Sequence, residues 1–243
     1  MILTNIQYSL FLESTAGLFK ILGLFLLLNT SYIYPKIPGK GQKAEDFIPK
    51  GYKIIKQVKG HLNGDNIMDQ AVIIESKKGI DGLKETDHTQ KPRILFVITG
   101  LKKSGYMLSV QSNESVMLDD DGGLLGDPLQ DMYILDSNLH ITYYGGSRER
   151  WLYDYKWKLH GEKWFLAGAE YTTMDPVENI KTSFNFNFIK STGEKTEQQY
   201  FEDDEGKPKT KPINKRIRPE KKELMMLDNF RFGQNMVYKE VYF

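Results

Sequence analysis

The stretch RWLYDYKWKLHGEKWFLAGAEY, residues 150–171, restricts the possible folds more than any other part of the chain. Large apolar side chains occupy every second position at its start: Trp151, Tyr153, Tyr155, Trp157 and Leu159. Most of the positions between them are charged. A period of two is that of a β-strand with one face on a core and the other in water. Since residues 160–163 supply a turn, the stretch predicts a β-hairpin with an aromatic inner face.

Similar signals recur along the chain and favour a mainly β fold. KIIKQVKG and QAVIIES flank a turn-rich loop, RILFVITGL is strongly apolar, and KTSFNFNFI alternates again. Aromatic residues, 12% of the chain, suit pleated, half-buried surfaces. We therefore predict antiparallel hairpins in a meander, either propeller-blade-like or sandwich-like. A complete seven-bladed propeller would need roughly 300 residues at about 40 to 45 per blade, which is more than this chain supplies.

Shifts in composition divide the chain into four predicted segments. Residues 1–35 form a hydrophobic segment of the signal-peptide or anchor type, and residues 36–46 a linker. Residues 47–190 form the β-rich domain. Residues 191–243 form a charged extension, because EDDEGKPKTKPINKRIRPEKK is too rich in charge and proline to build a core. ELMMLDNF is expected to dock back on the body as a short element.

The N-terminal segment bears on where the protein acts. Lys20 precedes the apolar run Ile21–Leu28, which is shorter than the about 20 residues of a spanning helix. This pattern favours a cleaved signal peptide and export to the periplasm or the extracellular space. Two alternatives stay open: an uncleaved anchor that holds the protein on a membrane, facing outward, and a buried helix of the fold. A membrane is a partner only in the anchored case.

Two features of the composition exclude classes of function. The chain has no cysteine, which excludes disulfides, thiolate nucleophiles and thiolate zinc sites. Its formal net charge is +1, so no overall field attracts nucleic acid.

The loop in HLNGDNIMDQAVIIE, residues 61–75, is the first candidate metal site. Asn63, Asp65 and Asp69, with the carbonyl of Ile67, alternate as the oxygen ligands of a calcium ion do. His61 is a further candidate, although an imidazole matches calcium poorly. The metal-free alternative uses the same residues in Asx-type hydrogen bonds that close a hairpin loop. We favour it, because calcium affinity follows the number of charged ligands.

The same loop resembles the calcium loops of FG-GAP and VCBS-type repeats, whose pattern is Asp-x-Asn-x-Asp-Gly-x-x-Asp. His61 stands where that family has its first aspartate, and Asn66 replaces its glycine. Several further blocks are similar to an uncharacterised family of bacterial exported proteins: FIPKGYKIIKQVKGHLNGDNIMDQAVII, GGLLGDP, ITYYGGSRERWLYDYKWKLHGEKWFLAG and LDNF. The resemblance implies export, a β-rich body and calcium as the candidate cofactor. It brings no established activity and no catalytic residues.

The segment DDDGGLLGDP holds a second candidate loop, in which Asp119, Asp121 and Asp127 could gather a cation. A solvated, glycine-rich turn is the simpler interpretation. The leading hypothesis for function is a non-catalytic, exported, β-rich binding or structural module, for which stabilisation by a divalent cation stays open as an alternative to the metal-free loop. The alternative is an exported hydrolase that acts on a polymer through these loop carboxylates. The sequence assigns no catalytic residue and no specific partner.

Overall fold

Strand-forming sequence fills most of the chain that the structure describes. A computed structural model describes residues 33–79, 90–199, 211–220 and 223–243. Most of the predicted signal segment, including Lys20 and the run after it, lies outside these residues. The described residues all belong to one unit of the chain. Within them, no helix is long and apolar enough to cross a membrane.

The first sheet has five antiparallel strands in the order β1-β5-β4-β3-β2. Their bounds are Lys40–Gly41 (β1), Tyr52–Gly60 (β2), Asp69–Ser76 (β3), Arg93–Gly100 (β4) and Tyr106–Ser112 (β5). The two most apolar strands, β3 and β4, lie next to each other in the interior of the sheet. Such strands can be buried on both faces, because the side chains on each face are mostly apolar.

The second sheet is a seven-stranded meander in the order β12-β11-β10-β9-β8-β7-β6. Its strands are Leu129–Leu135 (β6), Asn138–Gly146 (β7), Arg150–His160 (β8), Lys163–Asp175 (β9), Ile180–Asn187 (β10), Thr192–Gln199 (β11) and Ile213–Ile217 (β12). A two-stranded ribbon follows, Met236–Tyr238 (β13) and Val241–Tyr242 (β14). Three 3₁₀ turns complete the described elements: Ala44–Phe47, Gly123–Leu125 and Leu227–Asn229.

The two sheets share one hydrophobic core, which makes the arrangement sandwich-like. Ala71 and Ile73 of the first sheet belong to the same buried cluster as Leu139, Ile141 and other residues of the second. The Nε1 of Trp164 in β9 also donates to Ser109 Oγ in β5 at 2.8 Å. Both sheets stay open within the described residues. The prediction of a mainly β fold built from antiparallel hairpins is confirmed.

The other face of the first sheet has a smaller core of its own. Val72, Ile74 and Phe96 lie there under the N-terminal part of the described chain. Phe47 covers them from the 3₁₀ turn, with its ring centroid 6.1 Å from that of Phe96. Strands β3 and β4 are therefore buried on both faces, as their continuous apolar sequence requires.

The aromatic face predicted on β8 points into the shared core. Tyr155 and Trp157 are 1% and 0% exposed, while Trp151 and Tyr153 are half-buried. Phe230 and Phe243, from the C-terminal part of the chain, pack edge-on against Tyr155. Edge-to-face contacts of this kind add to the burial of apolar surface.

The β structure continues on both sides of the predicted 47–190 domain. Strand β1 lies in the predicted linker, and β11 and β12 extend the second sheet into the predicted charged extension. In the predicted docking element, Leu227 and Phe230 are fully or almost fully buried. A strand such as INKRI has no strong propensity of its own, so its pairing with β11 is a tertiary effect.

Candidate ligand-binding cleft

A single row of directly opposed residues crosses the second sheet on its core-facing side. From β7 to β12 the row runs Tyr143, Tyr153, Tyr171, Phe184, Lys195 and Lys215. The row starts in the dry core, where Tyr143 is 0% exposed, and ends at Lys215, which is exposed. The same face of the sheet thus changes from packed core to open surface along one line.

The rings in this row pack against their neighbours on adjacent strands. The ring centroids of Tyr153 and Tyr171 are 4.6 Å apart, and those of Tyr171 and Phe184 are 6.2 Å apart, with interplanar angles of 21° and 14°. Tyr238 of β13 approaches from the other side, 6.3 Å from Phe184. Directly opposed residues of antiparallel strands are close enough for such ring pairs to stabilise the sheet.

Lysines surround the exposed end of the row. Lys195 Nζ lies 5.7 Å from the centroid of the Phe184 ring and 3.0 Å from Glu197 Oε1. Lys239 Nζ lies 5.6 Å from the centroid of the Tyr238 ring. The ammonium groups of Lys215 and Lys239 make no salt bridge with any carboxylate of the described residues. Within the described residues, Lys195 therefore has a carboxylate partner, whereas Lys215 and Lys239 have none.

A cleft of about 650 Å³ opens over these residues. Tyr171, Phe184 and Lys215 form part of its floor, and residues 238–241 of the C-terminal ribbon form its wall. Its volume falls within the usual range for small-molecule sites. Burial raises the pKa of Tyr171, so its hydroxyl group remains protonated near neutral pH. This cleft, which we call the ring-lined cleft, combines apolar contact with unpaired positive charge.

The second predicted acidic loop is held in ion pairs. Arg93, 1% exposed, binds Glu75 with its Nη2 at 2.8 Å and also donates to both carboxylate oxygens of Asp127. Asp119 pairs with Lys91 at 3.0 Å. Asp121 Oδ2 accepts from the amide of Leu118. The three aspartates thus meet separate partners instead of one shared cation position.

These contacts set the ionisation of the loop. Burial of Asp119 opposes its ionisation, but hydrogen bonds and charge from Lys91 outweigh burial and hold the pKa of that carboxyl below its usual value. Burial opposes the charge of Arg93 as well, while Asp127 and Glu75 raise its pKa. The carboxylate of Asp119 is therefore held ionised by Lys91.

The predicted calcium loop closes through hydrogen bonds of its own residues. Asn63 Oδ1 accepts from the amide of Asp65 at 3.1 Å, and Asp65 Oδ1 accepts from the amide of Ile67 at 2.8 Å. His61 Nδ1 lies 3.2 Å from the carbonyl oxygen of Ile67. These are Asx-type contacts, in which a side chain mimics the backbone of a turn.

Asp69 anchors this loop to the sheet. Asp69 is 0% exposed, and its two carboxylate oxygens accept hydrogen bonds from the amides of Leu62 at 2.8 Å and Gly100 at 3.0 Å. Calcium would need the oxygens of Asn63, Asp65 and Asp69 to turn to a common centre. Among the described residues, no three His, Asp or Glu side chains are grouped so that they could hold a metal ion.

A smaller cleft of about 280 Å³ lies on the outer face of the second sheet. His140 Nδ1 is 3.2 Å from Asp154 Oδ1, and the ring of Tyr133 stacks on that of His140 with centroids 4.7 Å apart. Lysines and carboxylates line it in equal number, Lys156 and Lys158 with Asp154 and Glu170. Its lysines and carboxylates balance, whereas the described lining of the ring-lined cleft has three lysines and two glutamates.

Sequence reasoning missed the ring-lined cleft. Phe184 was identified as part of an alternating strand, but Lys195 and Lys215 lay in segments expected to be turn or extension. Their position beside Phe184 depends on the register of three strand pairs. The alternation of β10 was the only local sequence pattern that pointed to a residue of this cleft, Phe184.

Comparison with known proteins gives no match. No protein-family model, no curated protein and no solved structure is similar to this chain.

Proposed function

We propose that the protein is a non-catalytic, β-rich binding module and that the ring-lined cleft is its ligand-binding surface. The observation that carries the proposal is the row Tyr171, Phe184, Lys195, Lys215, which places half-buried rings beside lysine ammonium groups in an open cleft. Lys195 is paired with Glu197, whereas Lys215 makes no salt bridge within the described residues. A concave surface with apolar contact and a few oriented polar groups is typical of a ligand site. The cleft suits a ligand with an apolar face and an anionic group.

The ion pairs of the acidic loop give the hydrolase alternative little support. A general acid needs a pKa raised toward neutrality, whereas the pKa of Asp119 is lowered. Asp127 is committed to the buried guanidinium of Arg93. Both residues fit a structural role that ties the loop to β4.

Titration with anilinonaphthalene sulfonate, an anionic aromatic probe, tests the cleft. We expect saturable fluorescence enhancement with the wild-type protein. The Lys215→Glu/Lys239→Glu double variant should lose it, because two attractive charges become repulsive. Lys181→Glu is the matched control, since Lys181 is exposed and lies on the opposite side of β10 from Phe184. Equal binding by all three proteins, with equal melting temperatures, would place the probe elsewhere and refute the proposal.

The module is further proposed to act outside the cytoplasm. Support comes from the sequence alone, through Lys20 and the apolar run Ile21–Leu28. Expression of the full chain in a bacterial host, with fractionation and intact-mass measurement, tests this. We expect a product shortened by about the predicted 35 residues in the exported fraction. A full-length product in the cytoplasm would contradict the proposal, and a full-length product in the membrane fraction would favour the anchor.

A further inference from the structure

We infer that the ligand of the ring-lined cleft is an acidic oligosaccharide, a short sugar chain that carries carboxylate groups. This inference rests on the proposed function, because it names the class of ligand for the same cleft. It draws on three features: the mixture of charges in the lining, the spacing along the row, and the openness of the cleft toward the edge strand β12.

The lining pairs both signs of charge with rings. The lining combines three lysines, two glutamates and three aromatic residues: Lys195, Lys215, Lys239, Glu197, Glu240, Tyr171, Phe184 and Tyr238. A hydroxyl group both donates and accepts hydrogen bonds, so it can use ammonium and carboxylate partners together. The C–H groups of a sugar ring also contact the parts of aromatic rings that a cleft exposes. A ligand with many hydroxyl groups and apolar ring faces uses every class of residue in the lining.

The excess of positive charge calls for an anionic sugar. Glu197 already neutralises Lys195 at 3.0 Å. Lys215 from the floor and Lys239 from the wall remain without a salt-bridge partner among the described residues. A carboxylate that contacts either ammonium group makes a charge-assisted contact, which is stronger than a neutral hydrogen bond.

Other anionic ligands fit the lining less well. Phosphate and nucleic acid sites commonly add arginine forks or clustered backbone amides to their lysines, and the described residues that line this cleft include no arginine. A fatty acid would cover Glu240 and Thr173 of the lining with its apolar tail and offer them no polar partner.

The spacing of the row suits a chain of sugars. Phe184 and Lys215 are two strands apart, a separation of about 10 Å between backbones. A ligand that contacts both must reach across β11. Within the described residues, the second sheet ends at β12, where Ile213 is 70% exposed, and a ligand that continues outward from the floor would pass this side chain.

Isothermal titration with a tetramer of galacturonic acid, and with its methyl ester as the matched neutral sugar, tests the inference. We expect the acidic tetramer to bind with an affinity that falls as salt is added. The methyl ester should bind at least about tenfold more weakly, since charged hydrogen bonds are lost. Lys215→Ala/Lys239→Ala should reduce binding of the acid to the level of the ester, while Lys181→Ala should bind as wild type does.

Other outcomes would refute the requirement for charge, the sugar class or both proposals. Equal binding of acid and ester would refute the requirement for charge. Binding of anilinonaphthalene sulfonate in the cleft without binding of either sugar would refute the sugar class and leave the proposed function standing. Failure of the probe and of both sugars to bind there would refute both proposals.

Discussion

Individual charged residues hold the centre of this molecule together. Arg93 lies almost fully buried between Glu75 and Asp127, and its Nη1 also donates to the carbonyl of Met117. Glu75 is itself 4% exposed and binds Lys53 at 3.1 Å. A buried charge of this kind is tolerable only while each partner is in place.

Arg93→Ala is therefore expected to destabilise the fold by about 3 to 5 kcal/mol, because Glu75 would stay buried without its main partner. Urea unfolding followed by tryptophan fluorescence measures the change. Lys91→Ala is the control, since its pair with Asp119 is partly exposed and should contribute about 1 kcal/mol or less. Equal losses in the two variants would mean that Glu75 relaxes to solvent.

Asp119 should make the fold sensitive to acid. Its pKa is lower in the folded protein than in the unfolded chain, so its ionised form contributes stability above the unfolded value, about pH 4. That contribution disappears as pH falls through the folded pKa. Urea unfolding should show Asp119→Asn to be less stable than wild type at neutral pH. The two proteins should differ less at about pH 2, below most carboxyl pKa values, and a constant difference would assign the effect to packing.

At the scale of elements, loops and turns show how far sequence reasoning reaches. The alternation of β8 and the apolar runs of β3 and β4 are local patterns, and they predicted strands correctly. The loop of residues 61–69 also gave the right turn chemistry, since the Asx-type bonds of Asn63 and Asp65 involve residues two apart. Strand β12 could not be found in this way, because its sequence is exposed and basic and forms a strand only beside β11.

The hydrogen bonds within this loop lead us to expect that folding does not require calcium. Thermal melts in calcium, in magnesium and in chelator should coincide. An ion present at about 100 times its dissociation constant would add about 2.7 kcal/mol, or roughly 5 to 10 °C for a chain of this size. A rise of that order in calcium alone would show that the ligand set of the FG-GAP resemblance operates here despite His61.

Asp69→Asn provides a complementary test of the same loop. One amide would lose its carboxylate partner in a buried site, so we expect a loss of about 1 to 3 kcal/mol in urea unfolding, with or without calcium. Asp65→Asn is the milder control, because Asp65 is partly exposed. A loss that occurs only in calcium would instead assign Asp69 to a metal.

For the whole molecule, the shared core predicts that the two sheets unfold together. Trp157 is fully buried in the cluster that joins them. Trp157→Ala should destabilise the protein by about 3 to 5 kcal/mol. Hydrogen exchange should lose protection in β3 and β4 as well as in β7 and β8. Loss of protection confined to the second sheet would show that each sheet folds on its own.

The candidate site emerges only at this largest scale. Four strands contribute one residue each to the row from Tyr171 to Lys215, and the C-terminal ribbon adds Tyr238 from far along the chain. No local pattern carries that information, because strand pairing fixes it. The core could be predicted from the alternation of apolar residues, whereas the cleft depends on the register in which each strand pairs with the next.

The register of the β9–β10 hairpin consequently determines which of two sets of β10 side chains faces the cleft. Side chains of a strand alternate in direction, so the parity of the connecting residues 176–179 decides which half of β10 faces the cleft. If removal of one connecting residue made β10 slip by one position against β9, Ser183 and Asn185 would face the cleft in place of Phe184. Deletion of one residue outside the cleft would thus replace the aromatic ring of Phe184 in the floor by the hydroxyl of Ser183 and the amide of Asn185.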